Sequence, residues 1–296
     1  MPQHWLHRWL LRGLRPERLP HLLGPQDVGV PAHATEELRL RAADGASLFA
    51  WFIRPDTTPP QGAPALIGLH GWGSNASELL PGAEALRQAG FALLLLDARC
   101  HGRSDEADFT SMPRFAQDLG SGLDWLNRQP HIDPAHIVLV GHSVGAAAAL
   151  LLSSSRSDVR AVIGLSVFAH PADMMRRWMR ARHIPMWPLG HWVLSHVQEV
   201  IGARFDDIAP ERTLLKVDAP VLLVHGQDDE VAPIDDLHRL QRTAQGRDVT
   251  TVVLPGVGHD LSEVLAQAVL PEVMAFLVGL AEAAHEPVLR EGKPGA

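Results

Sequence analysis

A chain of 296 residues, 46% hydrophobic and 20% charged, has enough apolar side chains for one large closed core, which excludes disorder over most of its length. Its formal charge of −8 excludes a general affinity for nucleic acid, because such binding needs a basic face to neutralise phosphates. Cys100 is the single cysteine, so an intrachain disulfide and a cysteine-built metal site are both out of reach, and a reducing, cytoplasmic compartment is expected.

Residues Met1 to Leu23 place Trp5, Leu6, Trp9, Leu10 and Leu14 among Arg8, Arg12, Arg15 and Arg18, which predicts a basic amphipathic helix in an N-terminal segment over 1–30. The interleaved arginines deny the uninterrupted apolar stretch that a signal peptide requires. Two placements stay open: a helix on a membrane surface or over an active site, giving peripheral membrane contact, and a helix docked on the body of the protein.

A single domain is expected over 31–285. Glu37 to Arg41 and Ser47 to Arg54 flank Asp44-Gly45, a turn signal, and read as an antiparallel hairpin. Continuously apolar runs follow at Ala65 to Leu69, Phe91 to Leu96, Ile137 to Val140, Ala161 to Leu165 and Val221 to Val224, the pattern of parallel strands covered on both faces. Helical segments are predicted between them at Ser77 to Gln88, Pro113 to Arg128, Ser143 to Ser154 and Asp235 to Gln245. That alternation predicts a doubly wound α/β sheet. About fifty residues separate the strand ending near Val167 from the one starting at Val221, so an insert is expected at about 169–216. It holds Met174, Met175, Trp178, Met179, Met186, Trp187 and Trp192, which suit either a cap over an apolar pocket or the insert's own small core. A last strand over Val249 to Leu254, a helix over Leu261 to Ala281 and a flexible tail over 286–296 complete the chain.

Gly141-His142-Ser143-Val144-Gly145 follows a buried strand and precedes a run of alanines. A serine on such a sharp strand-to-helix turn is strained and exposed at the sheet edge, with glycines giving room for close approach and helix amides aimed at developing negative charge. Gly256-Val257-Gly258-His259-Asp260 follows the last strand, so the order serine, acid, histidine is available.

With these motifs the chain resembles the α/β-hydrolase superfamily from about Glu37 to Ala281, which implies an eight-stranded, mostly parallel sheet with helices on both faces and a small helical cap. His70-Gly71-Trp72-Gly73 resembles the superfamily's oxyanion loop, implying an oxyanion hole from the amides of Trp72 and Val144. Asp97 to Ser104 resembles a structural signature. His225-Gly226-Gln227-Asp228-Asp229 resembles the acid loop and implies Asp229 as the acid, with Asp228 its competitor. The resemblance therefore implies a serine hydrolase in which Ser143 attacks an acyl carbonyl, His259 is the base and Asp229 orients it, without metal or organic cofactor. Carboxylic esters are the expected substrates of such a carboxylesterase-like enzyme, with acyl thioesters and small amides or N-terminal peptides as alternatives. A noncatalytic binding protein on the same fold and a membrane-surface lipase or depalmitoylating thioesterase are the rival readings. The sequence specifies no oligomeric state.

Overall fold

Asp44-Gly45 turns the chain between β1 (Thr35–Arg41) and β2 (Ser47–Ile53), which pair antiparallel from Thr35 opposite Ile53 to Arg41 opposite Ser47. Gly45 takes φ +90° there, a conformation that costs a residue without a Cβ little. The remaining strands are β3 (Ala63–Leu69), β4 (Ala92–Leu96), β5 (Ile132–His142), β6 (Ala161–Leu165), β7 (Val221–Gly226) and β8 (Val249–Leu254). All eight form one sheet in the order β1-β2-β4-β3-β5-β6-β7-β8. β2 meets β4 antiparallel, and every pairing from β4 through β8 is parallel. This is a computed structural model, and it describes residues 11 and 13–285.

Parallel strands need a crossover that covers the sheet, and the helices supply it. They are α1 (Ala83–Gln88), α2 (Met112–Leu126), α3 (Val144–Ser153), α4 (Pro171–Ala181), α5 (His191–Ile201), α6 (Phe205–Ile208), α7 (Pro210–Thr213), α8 (Ile234–Thr243) and α9 (Leu270–His285). Neighbouring strand residues point to opposite faces, so Ile67 and Leu94 join one core with Phe115, Leu119 and Leu150, while Leu66 and Leu93 join the other with Leu80, Val269 and Val273. Apolar side chains are thus consumed on both faces, which is why the strands read as unbroken apolar runs.

Two predicted helices are broken where proline removes an amide donor. The stretch expected at Ser77 to Gln88 is a 3-10 segment over Ala76–Gly82 containing Pro81, followed by α1. The stretch expected from Leu261 opens as a 3-10 turn (Ser262–Val264) and a π-turn (Leu265–Val269) ahead of Pro271. Residues 262–282 are the one span among the described residues long and apolar enough to cross a membrane. Within it Leu265, Val269, Val273 and Leu277 recur at every fourth position and are buried in the second core, the pattern of a helix laid on a sheet.

The insert between β6 and β7 holds α4 to α7 and a π-turn at Met186–Gly190. Both readings of its methionines and tryptophans apply to part of them. Met179 is buried and Met174, Met175 and Met186 pack on the core, while Met174 and Met175 also line an open cleft together with Trp178.

The helix expected over Met1 to Leu23 lies outside the described residues as far as Leu10, as does the tail expected over 286–296. Within the described part, the chain is helical at Leu11 and Gly13, turns at Leu14, and runs without regular structure to Leu23. Pro16 and Pro20 account for the stop, since a residue preceding proline is pushed out of the helical region. The resulting strap crosses the sheet edge. The Thr110 amide donates to Leu14 O (2.9 Å), Arg18 donates to Ser104 O (2.6 Å), and Asn75 Nδ2 donates to Leu19 O (3.2 Å) and Pro20 O (3.1 Å). His21 Nε2 lies 3.0 Å from the buried carboxylate of Asp97.

Candidate active site

Between β5 and α3 the backbone reverses in one residue. Ser143 sits there at φ +51°, ψ −113°, strain that costs on the order of 1–3 kcal/mol and must be over-determined by its surroundings. The surroundings do so: the Ser143 amide donates to Leu165 O (2.8 Å), and both flanking glycines are sterically required. A Cβ on Gly141 would lie 2.3 Å from the Gly145 carbonyl carbon, and one on Gly145 would lie 2.2 Å from Leu69 O. Val144 opens α3, so its amide has no acceptor inside the helix and points, with the positive end of the dipole, past Ser143.

The loops after β7 and β8 bring an acid and an imidazole to that hydroxyl. A Cβ on Gly226 would stand 2.3 Å from Gly258 O, so the two loops touch because residue 226 has no side chain. Asp229 is buried. Its Oδ1 accepts from the amides of Val231 (2.9 Å) and Ala232 (2.8 Å), and its Oδ2 lies 2.8 Å from His259 Nδ1. On the other side of the ring, His259 Nε2 lies 3.0 Å from Ser143 Oγ. Asp228, the competitor, has an exposed side chain and is fixed by its own amide, which donates to Val257 O (2.9 Å). The structure therefore brings together Ser143, His259 and Asp229 and leaves Asp228 outside. His225 flanks Asp229 at 3.5 Å, donates to Ala232 O (2.7 Å), and has its pKa pushed down by burial, so it stays neutral.

Trp72 lies between two clamped residues. Burial lowers the pKa of His70 and drives that of His101 down to about 3, so both rings are neutral donor–acceptor pairs. His70 Nε2 accepts from the Ala98 amide (3.0 Å), which leaves Nδ1 to donate to Gly71 O (2.7 Å). His101 Nε2 accepts from the Gly73 amide (3.1 Å), which leaves Nδ1 to donate to Arg99 O (2.9 Å). Residues on both sides of Trp72 are thus held, and a Cβ on Gly71 would be 3.5 Å from the Ser143 Cβ. The loop passes directly beside the hydroxyl.

Two further residues at the site have no role assigned from the sequence: Glu78, which lies in no motif, and His142, which lies inside the serine motif. Glu78 Oε2 accepts from the Gly71 amide (2.9 Å), its Oε1 is ion-paired with His142 Nδ1, and His142 Nε2 meets His259 O (2.8 Å). Burial alone would raise the Glu78 pKa, but the His142 charge and the two hydrogen bonds overcome it and hold the carboxyl down at about 2. Burial would likewise lower the His142 pKa, and Glu78 outweighs it, so that pKa is raised. Each group thus favours the charged form of the other.

The hydroxyl of Ser143 opens into a cleft of about 1210 Å³. Phe168, Met174, Met175, Trp178, Phe205 and Ile208 line it, as do Leu14, Leu19, Leu22 and Leu23 of the strap. Such a lining suits an apolar group better than a charged one. Asp260 and Glu263 are exposed carboxylates on the same lining, where the third, Glu78, is taken up by His142. Among the described residues no cluster of three or more His, Cys, Asp or Glu is placed to hold a metal ion.

A family model described as serine aminopeptidase, S33, matches residues 60–202. An uncharacterized protein of Mycobacterium tuberculosis is 31% identical over 245 residues, covering 82% of this chain and 79% of its own. Among solved structures, the Pyrococcus furiosus esterase Pf2001 superposes with a TM-score of 0.70 at 20% identity, covering 90% of this chain and 97% of that one. A Mycobacterium tuberculosis puromycin-hydrolyzing peptidase superposes with a TM-score of 0.66 at 15% identity, covering 88% of this chain and 41% of that one.

Proposed function

The chain belongs to the α/β-hydrolase superfamily of serine hydrolases, and on that premise we propose that it cleaves carboxylic esters with an apolar acyl group through a covalent acyl-enzyme. The observation that carries the reading is His259, whose two ring nitrogens stand 3.0 Å from Ser143 Oγ and 2.8 Å from Asp229 Oδ2. In this reading Nδ1–H donates to Asp229, which leaves Nε2 free to take the Ser143 proton as Oγ attacks the acyl carbon. Asp229 stabilises the imidazolium so formed. The carbonyl oxygen becomes an oxyanion, and the amides of Trp72 and Val144 are its donors, an arrangement in which each donor is worth about 10²–10³ in rate. Collapse of the tetrahedral adduct expels the alcohol, which takes the proton back from His259. Water then repeats the sequence, giving its proton to His259 and its oxygen to the acyl carbon, and the acid leaves.

The apolar walls of the cleft favour esters and thioesters of fatty acids. Asp260 and Glu263 on the same lining favour a second class, aminoacyl amides, whose ammonium group a carboxylate would pair. A fluorophosphonate probe is expected to label Ser143, and p-nitrophenyl esters are expected to turn over with kcat falling at least about 10³-fold in Ser143→Ala. Absence of both labelling and turnover would sink the reading. Comparing kcat/KM for an acyl ester, an acyl thioester and an aminoacyl amide ranks the substrate classes.

A further inference from the structure

The cap carries a charge opposite to that of the protein as a whole. From Met174 to Gln198 there are four arginines, three tryptophans and no carboxylate, in a chain of net charge −8. Two of the arginines are committed: Arg176 pairs with Asp173 just ahead of the segment, and Arg177 pairs with Asp236 of α8. Arg180 and Arg182 are exposed and have no carboxylate partner among the described residues, and the Arg182 guanidinium stands 4.1 Å from the ring centroid of Trp178. Beside them Trp187 is 79% exposed, and Leu189 and Trp192 are also exposed.

Trp178 links this part of the chain to the site, since it is exposed and also lines the cleft, and Leu22 of the strap lines the same cleft and is 87% exposed. A soluble polyanion would satisfy Arg180 and Arg182 but would give nothing to Trp187 and Leu189. An uncharged apolar partner would do the reverse. A bilayer surface with anionic headgroups serves both, since indoles settle at headgroup depth with the N–H still wet, and each basic residue near such a surface gains about 1 kcal/mol.

We propose that the cap face formed by Arg180, Arg182, Trp187, Leu189 and Trp192 docks on an anionic lipid surface, with the mouth of the cleft turned toward it. The inference goes beyond the hydrolase reading, because it names a partner surface and holds whichever acyl substrate is cleaved.

Co-sedimentation of the full chain with phosphatidylcholine vesicles, with and without about 30 mol% phosphatidylglycerol, tests it. The chain is expected to pellet with the anionic vesicles at about 0.1 M NaCl and to be released at about 0.5 M. Binding is expected to fall at least about tenfold in Arg180→Glu/Arg182→Glu and in Trp187→Ala, with hydrolysis of a soluble acetyl ester within about twofold of the parent as the check on folding. If Trp187→Ala also loses soluble-ester hydrolysis, the arginine pair decides alone. Three results would overturn the proposal: a chain that stays in the supernatant with both vesicles, variants that pellet like the parent, or a dimer in light scattering that Trp187→Ala splits. Vesicle binding without any ester hydrolysis would instead count against the hydrolase reading and leave this one standing.

Discussion

Glu78 and His142 form a buried ion pair that spans the site, one partner bonded to the Gly71 amide of the loop that carries Trp72 and the other to the carbonyl of His259. Neither side chain reaches Ser143 Oγ or His259 Nε2 through any bond described above. Together they tie the loop that carries Trp72 to the loop that carries His259, and in the proposed reaction a displacement of either by about an ångström would cost on the order of 100-fold in rate.

Glu78→Gln keeps the shape of the side chain and removes its charge. We expect kcat on a soluble ester to fall about 10- to 100-fold with KM changed less, because the loss lies in alignment and not in contacts to the substrate. Stability supplies a second readout. The Glu78 pKa is depressed, so its contribution is complete above its ordinary value of 4.5 and is lost as pH falls toward about 2. The His142 pKa is raised, so its contribution is complete below its ordinary value of 6.5 and fades as pH rises beyond it. The Tm gap between parent and Glu78→Gln should therefore be widest between those two values and narrow on either side, with a maximum of about 3 kcal/mol for breaking a buried pair. A gap that does not vary with pH would contradict the assignment.

Asp229→Asn should lower kcat about 10³- to 10⁴-fold, because an amide in that position favours the wrong imidazole tautomer. Asp228→Asn should change kcat by less than about threefold, since its exposed side chain has no place in the relay. Steady-state kinetics on one soluble ester decide between them, and equal losses would mean that the two adjacent acids share the work.

His21→Ala removes a partner from Asp97, whose carboxylate also accepts from the Ala76 and Arg103 amides at 2.8 and 2.7 Å. Losing that bond should cost about 1–3 kcal/mol in thermal or denaturant unfolding. Loosening the strap opens the wall formed by Leu19, Leu22 and Leu23, so KM for a decanoyl ester should rise about three- to tenfold while KM for an acetyl ester moves less than about twofold. A uniform change across chain lengths would separate the strap from acyl recognition.

Much of the fold was legible because burial on both faces leaves a direct trace in residue type. Ala161 to Leu165 appears as a fully buried strand with the bounds its apolar run suggests. The breaks were harder to read: Pro81 and Pro271 sit inside helical periodicity that continues past them, and periodicity alone does not register a missing amide. Ser143 and His259 stood out because each lies in a glycine-bearing loop at the end of a strand, whereas Asp229 was preferred over its neighbour Asp228 only through the resemblance of the loop to the superfamily's acid loop. Glu78 and His142 did not stand out, since a glutamate in a helical stretch and a histidine within the serine motif have ordinary surface or packing meanings until the fold places them face to face. The strap was misread for a related reason. Its apolar spacing is helical, and the contacts that straighten it come from Asn75, Asp97 and Ser104, far away in the chain.

Asn75 grips the strap by the main-chain carbonyls of Leu19 and Pro20, so the grip does not depend on which side chain stands at position 19, 22 or 23. Substitutions at those three positions would therefore reshape the lining of the cleft while the sheet, the serine turn and the imidazole stay where they are, so the width of the cleft and the geometry around the hydroxyl can be altered separately.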